Sequence, residues 1–295
     1  MDQAATLRMG AALKNLARRD EAGVALKSPR VIAVTSGKGG TGKTNVVANL
    51  AYALTLSGER VMILDADLGL GNMDILLGIA PKYSIHDVIK GTRELSEVIV
   101  EGPGGMKILP AGSGIEELSN LTEGEKLNLM AEFDLLQGKF DTLFLDTGAG
   151  ISSNVMYFNT AAQEIIVVVS PEPASITDAY AIMKVLSTRY SERYFRLLVN
   201  SARREKEALD VFNNLCRVAD KFLNISIDYM GFVPHDEYLI KAVMRQKIVL
   251  DLYPESPAST SFVKLARKIK KTIPKMEPKG NMQFFWNRLL DGIGG

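Results

Sequence analysis

Eight consecutive residues near the start of the chain have the composition of a loop that binds phosphate. Residues 37–44 read Gly-Lys-Gly-Gly-Thr-Gly-Lys-Thr and satisfy the pattern G-x4-G-K-[ST]. Glycines let the backbone curl so that successive N–H groups point at phosphate oxygens, and the N-terminus of a following helix adds positive potential. The pattern assigns Lys43 to the β- and γ-phosphates and the Thr44 hydroxyl to Mg²⁺. We therefore predict a nucleotide-binding loop; the alternative is a plain glycine-rich turn.

The predicted contacts with the nucleotide come mainly from this loop and the residue after it. These residues are Gly37, Gly39, Gly40, Thr41, Gly42, Lys43, Thr44 and Asn45.

Aspartates follow two apolar runs farther along the chain. Asp65 and Asp67 come directly after the run 61–64, and Asp146 comes after the run 142–145. Phosphoryl transfer depends mainly on positioning and charge neutralisation. An aspartate that follows the first apolar run can orient the attacking water and complete the Mg²⁺ shell. We expect Asp146 to hold Mg²⁺ through a water. Each acid by itself is more often a helix cap or a turn residue, so the prediction depends on their occurring together with the loop.

The elements that must position these residues follow from the apolar pattern. The predicted strands are 31–34, 61–64, 106–109, 142–145, 165–169, 197–199 and 229–233. The predicted helices cover 45–55, a segment opened by the capping box Thr122-x-x-Glu125, 175–189, 205–223 and 259–273. Apolar strands that alternate with helices predict an α/β fold, a mostly parallel sheet with helices on both faces. Right-handed crossovers then place the carboxyl ends of the strands along one edge, where ligands bind.

The composition excludes several classes of function. The 295 residues include 35 basic and 34 acidic side chains, which argues against a positive field over the whole surface for nucleic acid. Cys216 is the only cysteine, and an iron–sulphur cluster needs several thiolates, so cluster carriage is excluded. No segment approaches 18 uncharged apolar residues. We expect a cytoplasmic protein.

Lys38 gives the loop a second cation and carries a resemblance. The pattern K-G-G-x-G-K-[ST] resembles the deviant Walker family of P-loop ATPases, which includes division-site, plasmid-partition, nitrogenase iron-protein and arsenite-pump ATPases. The resemblance implies that Lys38 reaches across a face-to-face homodimer to the partner's nucleotide, and that Asp67 positions the attacking water with support from Asp65. The alternative for Lys38 is a solvated loop lysine.

The same resemblance implies an adenine site. Asn200 and Pro234 follow two later strands, at positions where relatives contact the base. An asparagine amide can both donate to and accept from an adenine edge. The alternative is a strand-end asparagine that satisfies backbone groups. The implied cofactors are ATP or ADP and Mg²⁺, with Thr44, Asp67 and Asp146 around the ion.

The first residues of the chain match a short element of one branch of this family. They are Asp2, Gln3, Ala4, Leu7 and Arg8 of the stretch D-Q-A-x-x-L-R. This element resembles that of the flagellar-number regulators, the MinD-like ATPases called FlhG or FleN, in which it stimulates the GTPase FlhF. Stretches 65–72, 108–113 and 173–180 also look closer to these regulators than to division-site proteins. The alternative is a tail with chance helical spacing.

The last residues form an amphipathic pattern. Helical spacing places Met282, Phe285, Trp286, Leu289 and Ile293 on one face, and a lysine- and arginine-rich stretch, 264–279, precedes it. Bulky apolar side chains beside basic ones suit reversible binding to an anionic membrane. The alternative is a helix packed on its own core or on a dimer partner.

The sequence is predicted to divide into three segments and to have one leading function. Residues 1–28 are predicted to activate a partner, 29–275 to form the ATPase domain and 276–295 to target the membrane. The resemblance implies an ATPase that cycles between a monomer and an ATP-bound membrane-associated homodimer and regulates flagellar number or placement. Because no glutamine or arginine finger can be assigned from the sequence, we expect turnover to be slow and to depend on pairing or on a partner. Flagellar switch-complex proteins or a transcriptional regulator are further expected partners. The alternatives are a division-site ATPase and a partition ATPase that binds nonspecific DNA.

Overall fold

A computed structural model of the chain describes residues 29–67, 72–110, 122–136 and 138–272. The predicted partner-activating segment 1–28 and the predicted membrane-targeting helix 276–295 lie outside the described residues. Within the described part of the chain, no helix has the length and apolar character needed to cross a bilayer.

The described residues contain one eight-stranded sheet in the order β3-β4-β2-β5-β1-β6-β7-β8. All neighbouring strands pair in parallel except β3 and β4 at one edge. The strands are β1 Arg30–Ser36, β2 Val61–Ala66, β3 Val100–Glu101, β4 Lys107–Pro110, β5 Thr142–Ala149, β6 Glu164–Val169, β7 Tyr194–Ala202 and β8 Ser226–Pro234. The predicted fold class, an α/β fold with a mostly parallel sheet, is confirmed.

Helices cover both faces of the sheet. They are α1 Lys43–Leu56, α2 Met73–Leu77, α3 Ile85–Ile89, α4 Leu95–Val98, α5 Glu123–Asp134, α6 Ser153–Ala161, α7 Pro173–Tyr190, α8 Glu205–Phe222, α9 Glu237–Met244, α10 Val249–Leu252 and α11 Pro257–Lys271, with a 3₁₀ turn at Pro103–Gly105. The capping box at Thr122 opens α5 as predicted. The short helices α2, α4, α9 and α10, as well as α6, were not predicted from the sequence.

The central strand β1 shows why the sheet needs two layers of helices. Successive side chains of a strand point to opposite faces. Ile32 and Val34 pack with the α1 and α11 side chains on one face, while Val31 and Ala33 pack in a second cluster on the other face. All four are buried. Strands that are apolar on both sides are stable only when both faces are covered, and this arrangement places the β1 carboxyl end at the middle of one edge.

The free edge of β8 is blocked by side chains of α11. Lys268 Nζ donates to the carbonyl oxygens of Tyr229 at 2.6 Å and Met230 at 3.1 Å. Ser261 Oγ donates to the carbonyl oxygen of Phe232. At the opposite edge, β3 is only two residues long. Unpaired strand edges are templates for pairing with other chains, and both edges are therefore protected.

A buried charge cluster joins the amino ends of β1, β6 and β7. Glu164 accepts hydrogen bonds from Arg30 Nε, Arg30 Nη2 at 2.9 Å and Arg196 Nη1 at 3.1 Å. The three side chains are 8% to 14% exposed. Arg30 also donates to the carbonyl oxygen of Ile269 in α11. One carboxylate thus pairs with two nearly buried arginines, and the charge of Asp228 also attracts Arg196.

Replacing Glu164 by alanine is expected to lower the free energy of unfolding by about 3–5 kcal/mol, because two nearly buried arginines lose their shared partner. Glu101→Ala, which breaks the exposed pair with Lys107, is the matched control and should change it by at most about 1 kcal/mol. Urea denaturation measures both values. Equal losses in the two variants would contradict this interpretation of the cluster.

Candidate nucleotide-binding site

The predicted phosphate-binding loop connects β1 to α1 and is packed closely against the Asn200 side chain and the α7 backbone. Gly42 has φ 82° and ψ 24°, a left-handed conformation that other residues adopt at a cost. A Cβ atom at Gly42 would lie 2.4 Å from Nδ2 of Asn200, and one at Gly37 would lie 2.0 Å from the carbonyl oxygen of Asp178 in α7. The loop therefore has no room for side chains at these two positions.

Lys43 begins α1 and points into the site. The residue is 8% exposed. Burial lowers the pKa of its ammonium group, and the carboxylates of Asp146 and Asp67 act in the opposite direction. A buried lysine beside a glycine loop and a helix N-terminus is a strong attractor for phosphate oxygens.

Asp146 is the most strongly perturbed acid of the site. It lies within β5, whose strand extends farther than the sequence predicted, and it is 1% exposed. Burial, first of all, and the neighbouring Asp65 raise the pKa of Asp146 to about 7, while a hydrogen bond with the Thr44 side chain and the Lys43 charge oppose this rise. Its Oδ1 has no hydrogen-bond partner. The structure therefore brings Thr44 and Asp146, two of the predicted Mg²⁺ residues, into direct contact.

Asp65 shapes the turn that carries Asp67. Its Oδ1 accepts from the backbone N–H of Asp67 and its Oδ2 from that of Met73, each at 3.3 Å. Because it is buried, the pKa of Asp65 rises to about 6. One side chain therefore fixes both ends of the loop that leads from β2 to α2. The Asp67 carboxylate in turn lies 3.4 Å from the position of a Cβ at Gly148, beyond Asp146 in β5.

The residues present fit a nucleotide with Mg²⁺. A glycine-lined loop, a buried lysine, a threonine hydroxyl and a buried carboxylate oxygen without a partner meet at one edge of the sheet. Among the described residues, no cluster of three or more His, Cys, Asp or Glu could hold a metal by itself. This agrees with the coordination of Mg²⁺, which commonly takes one or two protein ligands, several waters and phosphate oxygens of the substrate.

Lys38 is directed away from these groups toward its own α7. Its Nζ lies 2.9 Å from Oε2 of Glu172, the residue that precedes α7, and both side chains are substantially exposed. The hydrogen bond and the charge of Glu172 raise the pKa of Lys38. The pairing with Glu172 was not predicted, and no signal in the sequence connects the two residues.

Asn200 supports the loop through a backbone group, as the alternative for this strand-end asparagine expected, although the sequence did not indicate which group it binds. Its Nδ2 donates to the carbonyl oxygen of Thr41 at 2.7 Å. Because a carbonyl oxygen only accepts, this contact fixes the orientation of the amide and leaves Oδ1, which has no partner. An adenine contact by Asn200 would use Oδ1 as an acceptor or the second N–H of Nδ2 as a donor. Pro234 ends β8 and is half-buried, and Asn45 lies in the first turn of α1. Base contacts by Asn200 and Pro234 remain predictions.

Fold and site together define a P-loop ATPase of the MinD-like class. A family model described as "4Fe-4S iron sulfur cluster binding proteins, NifH/frxC family" matches residues 30–290. The antiactivator FleN of Pseudomonas aeruginosa is 45% identical over 88% of this chain and 93% of its own length. The flagellum site-determining protein YlxH of Helicobacter pylori is 33% identical over 90% of this chain and 91% of its own. The chain belongs to the family that this model describes, and within that family to the MinD-like ATPases that include the flagellar-number regulators FlhG and FleN.

A solved structure gives the same assignment. The septum site-determining protein MinD of Pyrococcus horikoshii, complexed with Mg-ADP, has a TM-score of 0.64 and 26% identity, covering 82% of this chain and 96% of that one. The predicted cofactors, an adenine nucleotide and Mg²⁺, are confirmed at the level of the family. The cluster named in the family description does not extend to this chain, because Cys216 is its only cysteine and a cluster needs several thiolates.

The buried Asp146 makes a prediction about the nucleotide-free protein. Its pKa rises from 3.8 in the unfolded chain to about 7 in the folded state, so the folded state keeps a proton that the unfolded chain releases between these values. The free energy of unfolding should therefore fall as pH rises through this interval and level off above it. Asp146→Asn keeps an acceptor for Thr44 and removes the charge, and we expect it to stabilise the nucleotide-free protein by about 2–4 kcal/mol at about pH 8.

Thermal unfolding without nucleotide, measured across the same pH interval, tests this. Asp141→Asn, at an exposed aspartate paired with Arg60, is the control and should leave the pH dependence unchanged. The expected difference is a wild type that loses stability from pH 4 to pH 7 relative to Asp146→Asn. If the stability of both proteins changed with pH in the same way, the pH dependence could not be assigned to Asp146.

Proposed function

We propose that this ATPase is a nucleotide-dependent switch that pairs with a second copy when ATP is bound and returns to the monomer after hydrolysis. The observation that supports this most directly is the convergence of Lys43, Thr44, Asp67 and Asp146 at one sheet edge, with Lys38 on the outer rim of the loop. We assign nucleotide binding and hydrolysis to the first four of these residues. Lys38 has a flexible stem and an exposed position, and it can leave Glu172 for a phosphate of the partner's nucleotide.

Each of these residues has a proposed role. Lys43 and the backbone N–H groups of the loop hold the β- and γ-phosphates. Thr44 ligates Mg²⁺ directly and Asp146 does so through a water, while Asp67 orients the attacking water. Mg²⁺, when bound, supplies charge neutralisation at the phosphates. The sequence assigns no arginine or glutamine finger to this set, which supports slow turnover that depends on pairing.

Sizing by light scattering tests the switch. We expect monomers with ADP, a persistent ATP-bound dimer for Asp67→Ala because hydrolysis is blocked, and monomers with ATP for Lys38→Ala. Lys107→Ala, at another lysine in an exposed ion pair, should behave as wild type. A Lys38→Ala monomer that hydrolyses ATP as fast as the wild type would show that turnover does not require pairing.

The biological process that we propose is the control of flagellar number or placement. The names of the relatives from Pseudomonas aeruginosa and Helicobacter pylori support it, and the name antiactivator supports the expected transcriptional regulator among the partners. The alternatives are division-site selection, supported by the similarity to MinD of Pyrococcus horikoshii, and partition on nonspecific DNA.

The first residues separate the flagellar function from its rivals. We propose that Asp2, Gln3, Ala4, Leu7 and Arg8 engage the flagellar GTPase FlhF. A synthetic peptide of residues 1–25 should raise the rate of GTP hydrolysis by that GTPase several-fold, and the same peptide with Leu7→Asp should not. No stimulation by the unmodified peptide would favour the division-site alternative.

The last residues are proposed to bind an anionic membrane in the ATP-bound state, through Met282, Phe285, Trp286, Leu289 and Ile293. Flotation with liposomes containing anionic lipid should recover the wild type with ATP and much less of it with ADP. Trp286→Glu should abolish recovery, because a charge would enter the apolar region of the bilayer. Equal recovery with the two nucleotides would argue against a nucleotide-controlled membrane anchor.

A further inference from the structure

Ser36, the last residue of β1, lies directly before the phosphate-binding loop, and the motif of that loop assigns it no role. The residue is fully buried, and its hydroxyl donates a 2.7 Å hydrogen bond to the carbonyl oxygen of Lys38. A serine hydroxyl that binds the backbone two residues away stabilises a turn. The first turn of the loop is therefore held from the inside by a buried side chain.

This hydrogen bond fixes the direction of the peptide group between Lys38 and Gly39. Because a peptide bond is planar and trans, its C=O and N–H groups point in opposite directions. The Lys38 carbonyl points to the Ser36 hydroxyl, so the N–H of Gly39 points to the other side of the loop. The contact also limits rotation of the backbone from which the Lys38 side chain extends.

The backbone of Ser36 is bound to the segment that follows Asp146 in β5. The N–H of Gly150 donates to the Ser36 carbonyl oxygen at 2.9 Å. Ser36 also pairs with Ala149, at the point where the register between β1 and β5 shifts. One residue therefore contacts the end of β5 through its main chain and the turn that carries Lys38 through its side chain.

The residue between Ser36 and Lys38 has little room to absorb a movement. Gly37 packs so closely on α7 that a Cβ atom on it would lie 2.0 Å from the carbonyl oxygen of Asp178. A shift of Ser36 toward α7 is therefore blocked at Gly37, and the remaining freedom of the turn lies at Lys38. The three consecutive residues move together.

We propose that Ser36 is a positioning residue that couples the location of Lys38 to that of the segment after Asp146. A shift of Gly150 moves the Ser36 backbone, and the Ser36 hydroxyl passes the shift to Lys38. Ser36 acts only through this lysine. The assignment deepens the nucleotide switch proposed above and rests on it, because pairing is the step in which Lys38 reaches the partner's nucleotide.

The experiment compares Ser36→Ala with Thr35→Val in the full chain. Thr35 is the preceding buried residue of β1, and its hydroxyl has no hydrogen-bond partner, so its removal is the matched control. Binding of a fluorescent ADP analogue reports on the monomer, and light scattering over a range of protein concentrations reports on the ATP-dependent dimer. We expect Ser36→Ala to weaken pairing about fivefold, as the loss of one hydrogen bond predicts, and to change ADP affinity less than about twofold. Thr35→Val should match the wild type in both measurements.

Two further variants separate positioning from a general loss of structure. Ser36→Thr keeps the hydroxyl and should pair as the wild type does. In the Asp67→Ala background, where hydrolysis does not remove the dimer, adding Ser36→Ala to Lys38→Ala should leave the dissociation constant of the dimer unchanged. The hydroxyl acts through Lys38, so its loss should have no effect once the lysine is absent.

Several results would overturn the role of Ser36. Ser36→Ala could pair as tightly as the wild type, or it could lose ADP affinity and pairing to the same extent. Ser36→Thr could fail to restore pairing, or the losses from Ser36→Ala and Lys38→Ala could simply add. A wild type that does not pair with ATP would instead contradict the switch itself, and the role of Ser36 with it.

Discussion

The burial of the Asp146 carboxylate next to Asp65 and Lys43 is the constraint on which the site depends. The two acids lie in the neighbouring strands β2 and β5, the lysine begins α1, and burial disfavours the charged form of each. Burying these charged groups together raises the free energy of the nucleotide-free protein. A Mg²⁺ ion and the phosphates of a nucleotide would supply the opposite charges that the two acids and the lysine lack. The binding energy of the nucleotide is thus partly the relief of an electrostatic cost that the fold itself creates.

The phosphate-binding loop gains its rigidity from two contacts that come from distant parts of the chain. Asn200 supports the loop at Thr41 and Gly42, and the α7 backbone lies against Gly37. A loop held in this way does not need to reorganise when phosphate arrives, which favours affinity. A displacement of α7 or of the end of β7 would therefore also displace the loop that is proposed to hold the nucleotide.

The sequence was sufficient to locate the loop, the acids and the class of the fold, because these depend on a local motif and on strands that are apolar throughout. Asp146 could be assigned to a strand end only approximately, since β5 continues to Ala149 through residues without apolar character. The bracing by Asn200 and the pairing of Lys38 with Glu172 join residues more than 130 positions apart and leave no periodic pattern. Helices such as α2 and α9 were missed because five to eight residues are too few to show a helical period.

Lys268, which donates hydrogen bonds to two carbonyl oxygens of β8, limits how copies of the chain can assemble. Continuous sheets across a two-fold axis are a common way for α/β proteins to form dimers, and they require an open strand at the border. Here Lys268 would have to give up two hydrogen bonds, and the far border offers only two residues of β3. Pairing of copies through their sheet edges is thereby disfavoured, so the proposed ATP-dependent pairing would have to use another surface of the molecule.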